Sequence, residues 1–374
     1  MYQSGDNLKA LRFVKKNIVF CIAALAAVIS CFLVPPDKAY LDYFDWKTLS
    51  CLFLTLAVIC ALRNIKFFTI LARKLVIMTG NLRSLFLLLI IITFIGSMII
   101  ANDMALITFL PLGYFALSVT KQEKYMAYLF VLQNISANLG GMLTPFGNPQ
   151  NLYLYSYFNI PTGEFTLIML PPFLIAVTLL VIACIPVKPI KFSLNEKFTE
   201  KLNIKKATLY GLLFLFSILI VFRIIPFAVG LLLIPAILFF IDRDSLKMVD
   251  YALLGTFFFF FIFAGNLARL DSVNSLISSL LEKDTLIVSI LSCQIISNVP
   301  SAILLSRFTN DYPALLLGVN IGGTGTLIAS LASLITFNEF RILHPGETKR
   351  YILIFAIVNV IFLIVLTIAA KCIL

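Results

Sequence analysis

Charge is scarce in this chain. Of 374 residues only 13% are Asp, Glu, Lys or Arg, and there is one His and one Trp. A soluble domain carries about a quarter of its residues as charges, so this chain has too few to cover a soluble surface. No His-Glu-x-x-His and no Gly-x4-Gly-Lys-Ser/Thr is present, and no Ser–Lys or paired-Asp constellation falls inside an apolar run. Zinc-protease chemistry and ATP drive within this chain are therefore excluded, and an enzyme is not expected. The seven Cys (21, 31, 51, 60, 184, 293 and 372) form no Cys-x-x-Cys and lie in or beside apolar runs. They read as small buried apolar residues, with no disulfide or metal cluster implied. No small-residue cleavage site follows the first apolar run, which is expected to stay as a first helix.

What the chain does have is length without polarity. It is 61% hydrophobic, with a mean hydropathy of +1.02. Apolar runs cover 17–34, 46–62, 84–100, 104–119, 166–187, 207–222, 227–241, 250–268 and 351–370. About 20 apolar residues make a helix long enough to cross a hydrocarbon core of about 30 Å. The fold class is an all-α polytopic membrane protein. The net charge of +11 sits in short loops between these runs, which is the positive-inside pattern and not a nucleic-acid surface. Lys9, Arg12, Lys15 and Lys16 predict a cytoplasmic N-terminus in the plasma membrane. A Lys-rich linker at 188–206 (Lys188, Lys191, Lys197, Lys201, Lys205, Lys206) divides a first half, 1–187, from a second, 207–374.

Two segments do not thread as ordinary spans. Residues 84–119 are apolar except at Ala101-Asn102-Asp103, with basic residues at both ends, which predicts a re-entrant hairpin with Asn102 and Asp103 at its tip. A second hairpin is expected at 284–308, with Ser297-Asn298-Val299-Pro300-Ser301 at its tip. Each is followed by an interrupted helix. In 125–158 the interruption reads NLGGMLTPFGNPQN (138–151), and in 312–338 it begins NIGGTGT (320–326). Asn138, Gly140, Gly141 and Thr144 recur as Asn320, Gly322, Gly323 and Thr326 at identical spacing. The threading sets the hairpins on opposite sides of the membrane, so the halves read as inverted-topology repeats. Inverted repeats with broken helices are the signature of a secondary transporter with a site near the bilayer midplane. Irregular backbone survives at membrane depth only where protein buries it or water reaches it. Freed N–H groups suit an anion, and freed carbonyls with Asn or Thr oxygens suit a cation.

Asp103 is the carboxylate that falls deepest in the apolar segments. Intramembrane carboxylates are costly and commonly bind protons or cations, and Asp also suits a helix N-terminus. An ionised Asp103 would repel an anion unless a proton or sodium neutralised it. Gln133, Asn134 and Gln294 suit either a transport path or interhelical bonds. Arg223 and Arg269 are expected to snorkel at outer helix ends, and Arg307 to pair with Asp311. His344 falls in a charged cytoplasmic loop, 339–350, and receives no role. The five Phe at 257–261 predict a lipid-facing or packing surface.

The tips AND and SNVPS, together with TPFGNPQN, resemble the ion transporter superfamily of divalent-anion/sodium symporters, citrate transporters, arsenite-efflux permeases and some sodium/proton antiporters. The resemblance spans nearly the whole chain in element order. It implies that hairpin tips and helix breaks meet to bind substrate and ions, with Asn102, Asp103, Asn138, Thr144, Gly147, Asn148 and Asn151 in one half-site. Ser297, Asn298, Asn320, Gly323, Thr326 and Ser330 would form the other. It implies sodium at Asn102, Gly147 and Asn298, no cofactor beyond a coupling sodium or proton, a homodimer, and an elevator-like movement of the hairpin-bearing part. The dicarboxylate members carry Ser-Asn-Thr at both tips, whereas this chain has Ala-Asn-Asp and Ser-Asn-Val. That departure leans towards the citrate-like and arsenite-like branches. A small anion carried with sodium or protons leads, with cation/proton exchange or arsenite efflux as the alternatives. A channel is disfavoured, because pores usually repeat one filter about an axis normal to the membrane.

Overall fold

A computed structural model describes residues 17–192 and 202–374. The basic residues Lys9, Arg12, Lys15, Lys16, Lys197 and Lys201 lie outside the described residues. Regular structure among the described residues is helical, apart from an isolated bridge between Asn81 and Lys191. The first half comprises α1 (Ile18–Leu33), α2 (Trp46–Asn64), α3 (Phe67–Ile77), α4 (Leu82–Ile100), α5 (Asn102–Val119), α6 (Met126–Gly140), α7 (Pro149–Tyr157) and α8 (Thr162–Cys184). The second comprises α9 (Ile204–Val221), α10 (Phe227–Ile241), α11 (Arg243–Lys247), α12 (Tyr251–Ala268), α13 (Asp271–Ile296), α14 (Asn298–Leu305), α15 (Tyr312–Ile321), α16 (Leu331–Leu343) and α17 (Thr348–Ile373).

Polar residues mark where these helices begin. Asp45 accepts the Thr48 N–H at 2.9 Å, Asn81 the Ser84 N–H at 3.0 Å, and Asp250 the Leu253 N–H at 2.9 Å. Each is an N-cap that satisfies one of the amides a helix start leaves unpaired. Asp284 does the same within α13, where its extended backbone (φ −167°, ψ 90°) joins two helices end to end and its carboxylate accepts the Ile287 N–H.

Seven helices among the described residues are long and apolar enough to cross a membrane. Within them, 67% of the apolar window of α2 and 61% of that of α5 is buried, against 22% for the last helix. That contrast separates interior helices from lipid-facing ones. The interrupted helices lie deepest. In α6 every residue but Tyr128 is buried, in α7 every residue but Tyr157, and in α15 everything from Ala314 on. The irregular backbone at 141–148 and at 322–325 is thus enclosed by protein, as a hydrocarbon solvent requires, whereas the second break opens at Thr326 and Ile328, which are exposed.

Several expectations are corrected. Arg269 does not snorkel: its guanidinium forks onto Asp37 at 2.7 and 3.0 Å and reaches the Tyr43 hydroxyl at 3.1 Å. That hydrogen bond holds the Asp37 carboxyl below the usual carboxylate range. Arg223 donates to the Tyr155 carbonyl at 2.5 Å and stands over that ring, a cation at the C-terminus of α7 where the helix dipole favours it. Arg307 donates to the Tyr43 carbonyl at 2.6 Å, and Asp311 instead caps α15 through the Ala314 N–H. For the five Phe at 257–261 the packing alternative holds: Phe257, Phe260 and Phe261 are buried, and Phe258 stacks on Phe44 at 4.6 Å. Residues 339–343 belong to α16 and not to a loop. Cys372 is exposed, unlike the buried Cys51, Cys60, Cys184 and Cys293.

Candidate functional site

The two hairpin tips are built alike from different residues. Between α4 and α5 the turn is Ala101 (φ 66°, ψ 155°), and between α13 and α14 it is Ser297 (φ 76°, ψ 158°). This region is essentially reserved for glycine, and an L-residue held there costs about 1–3 kcal/mol. The next residue begins the second arm. Asn102 Oδ1 accepts the Asp103 N–H and Asn298 Oδ1 accepts the Val299 N–H, both at 2.9 Å. We expect Ala101→Val to lower the melting temperature of the purified protein and Ala101→Gly to preserve or raise it. Equal losses in both variants would mean that the tip is unstrained.

Behind the tips the two breaks interlock through amides. Gly141–Leu143 forms one 3-10 turn after α6, and Pro149, whose missing N–H suits a helix start, opens α7. Asn148 donates to the Asn138 carbonyl at 3.1 Å and to Asn320 Oδ1 at 3.2 Å. Asn320 in turn donates to Asn151 Oδ1 at 2.6 Å, and Asn151 donates to the Gly141 and Met142 carbonyls at 3.2 Å. Gln150 approaches Asn320 Oδ1 at 3.4 Å. Each tip is tied to the break of its own half. Asn102 donates to Asn138 Oδ1 at 3.3 Å, Thr144 to the Met98 carbonyl at 2.7 Å, and the Asn298 N–H to the Ala329 carbonyl at 2.9 Å. Asn134 reaches across to Ser333 at 3.2 Å, and Ser333 pairs with Ser330 at 3.0 Å.

In front of this network lies a cavity of about 570 Å³, lined by Asn102 and Asp103 from one tip and by Ser297 and Asn298 from the other. Pro149 and Gln150 at the start of α7 and Leu331 at the start of α16 also line it. The starts of six helices, α1, α5, α7, α12, α14 and α16, therefore line one space. Each carries the positive end of a macrodipole, while tip and cap hydrogen bonds already take the Asp103, Leu253, Asn298, Val299 and Ser333 N–H groups. The other candidate residues do not line the cavity. Asn138, Asn148, Asn151, Asn320 and Ser330 are buried in the network behind it. Gly147 packs between the Gly141 carbonyl and Thr144, and the Gly323 Cα faces the Asn298 amide. Thr326 is on an exposed turn held by Gln294, whose Oε1 accepts its N–H at 2.8 Å.

The cavity also has residues that sequence reasoning did not select: Gln150, Asp250, Asn338 and Arg341. Gln150 stood inside the quoted motif. Asn338 and Arg341 continue the stripe begun by Leu331, Leu334 and Ile335, the three-to-four spacing of one helix face. At the cavity and in the network behind it, Asp103 Oδ1, Asn148 Oδ1 and Gln150 Oε1 are buried acceptors with no donor among the described residues.

A family model described as citrate transporter matches residues 9–310, which include both hairpin tips and the first break. The chain belongs to the citrate transporter family. This citrate transporter family protein is a multi-pass membrane transporter. It is 35% identical to an uncharacterized transporter of Methanocaldococcus jannaschii over 335 residues, 87% of this chain and 90% of that one. It is 27% identical to the inner membrane protein YbiR of Escherichia coli over 349 residues, 90% and 92% of the two chains. Over 155 residues, 41% of this chain and 31% of the relative, it is 30% identical to the silicon efflux transporter LSI3 of Oryza sativa.

Proposed function

We propose that this protein is a secondary active transporter of a small organic anion of the citrate or dicarboxylate class, coupled to sodium or protons. The observation that carries this reading is the cavity lined by six helix N-termini beside Arg341. Arg341 is exposed and makes no hydrogen bond or ion pair with the described residues; it rests against the Phe337 ring, 5.8 Å from its centroid. Arg83, Arg223, Arg243, Arg269, Arg307 and Arg350 instead donate to carbonyls or carboxylates, and Arg63 to the Met104 sulfur. A guanidinium presents a planar fork of donors matched to a carboxylate, and helix N-termini add positive potential without a second cation. The tips and breaks of the two halves, related by inverted topology, would bind the anion together. The hairpin-bearing part would slide as an elevator within a homodimer in the plasma membrane, with the N-terminus in the cytoplasm. On this reading the sodium ligands at Asn102 and Asn298 face the cavity, and Gly147 acts from behind it.

One relative is named for silicon efflux. Export of an uncharged oxyacid such as arsenite, or cation/proton exchange at Asp103, is the alternative on the same scaffold. Thermal unfolding of the purified protein with di- and tricarboxylates, sulfate, phosphate and arsenite, in sodium or potassium, decides between them. A ligand at 100 times its Kd stabilises by about 2.7 kcal/mol, so a true substrate gives a large shift. The expected result is a carboxylate shift that needs sodium or acid and is lost in Asn298→Ala. Arg341→Gln should weaken it about 10- to 100-fold, the equivalent of a charge-assisted hydrogen bond of about 1.5–3 kcal/mol. A shift from arsenite alone, indifferent to Arg341, would overturn the anion reading.

A further inference from the structure

Beneath the main cavity is a smaller chamber of about 60 Å³, bordered by α2, the tip of α5, the start of α7 and the head of α12. Its walls are apolar except at three residues whose side chains carry oxygen: Thr55, Asp103 and Asp250. Asp103 and Asp250 line the larger cavity too, so the two spaces share these carboxylates. We propose that Asp103 and Asp250 together hold one small monovalent metal cation, of sodium's size, in this chamber. The site rests on the coupled-transport reading above and adds a second cation position to it, since Asn102, Gly147 and Asn298 do not line this chamber.

The argument is one of charge and satisfaction. Two carboxylates facing an apolar-walled space inside a membrane protein need positive charge close by. Among the described residues neither acid takes part in an ion pair. The nearest arginine of α2, Arg63, is directed at the Met104 sulfur, 3.7 Å away, and Arg341 borders only the larger cavity. Asp103 Oδ1 is buried with no donor. So is Oε1 of Gln150, a residue only 1% exposed that lines the larger cavity these two acids share with the chamber. Unspent acceptor oxygens of this kind call for a cation, because no N–H or O–H is placed to meet them. The chamber exceeds the roughly 10–15 Å³ of probe volume that one water needs, which leaves room for an ion with a residual water. Asp103 heads an arm of the first hairpin, whereas Asp250 heads α12 in the second half. A bound cation therefore ties the hairpin tip to α12, and its loss leaves two like charges to push them apart.

The test uses the full-length protein and sodium alone, with no anion present. Thermal unfolding is followed while sodium replaces choline at fixed pH and ionic strength. The wild type is expected to gain stability saturably. Asp250→Asn should raise the half-saturating sodium at least about tenfold, about 1.4 kcal/mol, with the melting temperature in choline unchanged or higher because a repulsion is removed. Asn caps a helix as well as Asp does, so the start of α12 survives the change. Asp103→Asn should give the same loss and serves if the first variant fails to fold. Asp45→Asn, a cap at the head of α2 outside the chamber, should respond like the wild type. Wild-type half-saturation in Asp250→Asn would overturn the site. So would acid in choline that reproduces the whole stabilisation, since that would make the ligand a proton. A sodium response that depends on both acids while no carboxylate adds to it would keep the site and sink the anion reading instead.

Discussion

Asn320→Leu is expected to destabilise the protein by about 2–6 kcal/mol and to reduce transport to background. Asn320 is 1% exposed and is the residue through which the two breaks are joined. Its amide nitrogen serves Asn151 Oδ1 and the Leu316 carbonyl, and its oxygen receives Asn148 and Gln150. Leucine is close in volume but leaves Asn151 Oδ1 and the Gln150 amide unpaired, each costing about 1–3 kcal/mol. Asn359 on α17 is the control. It is equally buried, yet its Oδ1 has no partner and its nitrogen bonds only the Phe355 carbonyl within its own helix. Asn359→Leu removes an unsatisfied oxygen and should be neutral or stabilising. Thermal unfolding and uptake into liposomes would be measured on both variants. Equal behaviour would show that the amide seam has no special weight.

The same chemistry explains what the sequence could and could not disclose. Apolar runs reveal the spanning helices because a hydrocarbon solvent demands length and polarity in a simple ratio. The tips and breaks were legible because Asn, Gly and Pro are poor helix residues with few other reasons to stand inside apolar runs. The partners of those residues were not legible. Nothing local in Asn320 says that it meets Asn148 and Asn151, some 170 positions earlier. Arg341 was read as loop because charge near a span end normally marks a boundary, and Asn338 as the last residue of the interrupted helix, yet α16 continues through both to Leu343. Asp250 stood in the sequence only as the head of the apolar run 250–268, and it does cap α12. Its second role depends on α12 packing near the first hairpin, a tertiary fact. The repeated Asn-x-Gly-Gly-x-x-Thr pattern also served less evenly than its spacing suggested: Thr144 braces the first tip, whereas Thr326 sits on an exposed turn.

Gly141→Ala is expected to lower ligand affinity at least about 100-fold while leaving a folded protein. The reason lies in how the first break closes on itself. A Cβ on Gly141 would stand 2.7 Å from the Gly147 carbonyl oxygen and 2.8 Å from Asn148 Cγ. Neither neighbour can give way cheaply. The first is backbone, and the second is held by the Asn138 carbonyl and Asn320. Gly147 is confined in the same way from the other side, with the Gly141 Cα and Thr144 in its path. The loop must open to admit a methyl group, an overpacking cost of about 1–3 kcal/mol, and opening carries Asn148 and the start of α7 away from the cavity. The fold is spared because the helices around the break bury most of their surface independently of it. Gly163 on α8 has open space where its Cβ would stand, so Gly163→Ala should change neither property. Affinity from ligand-induced thermal shifts, compared with the melting temperature in the absence of ligand, separates the two effects. Wild-type affinity in Gly141→Ala would mean that the geometry of the first break does not set the site. A collapse of both affinity and fold would mean that the break is a structural element first.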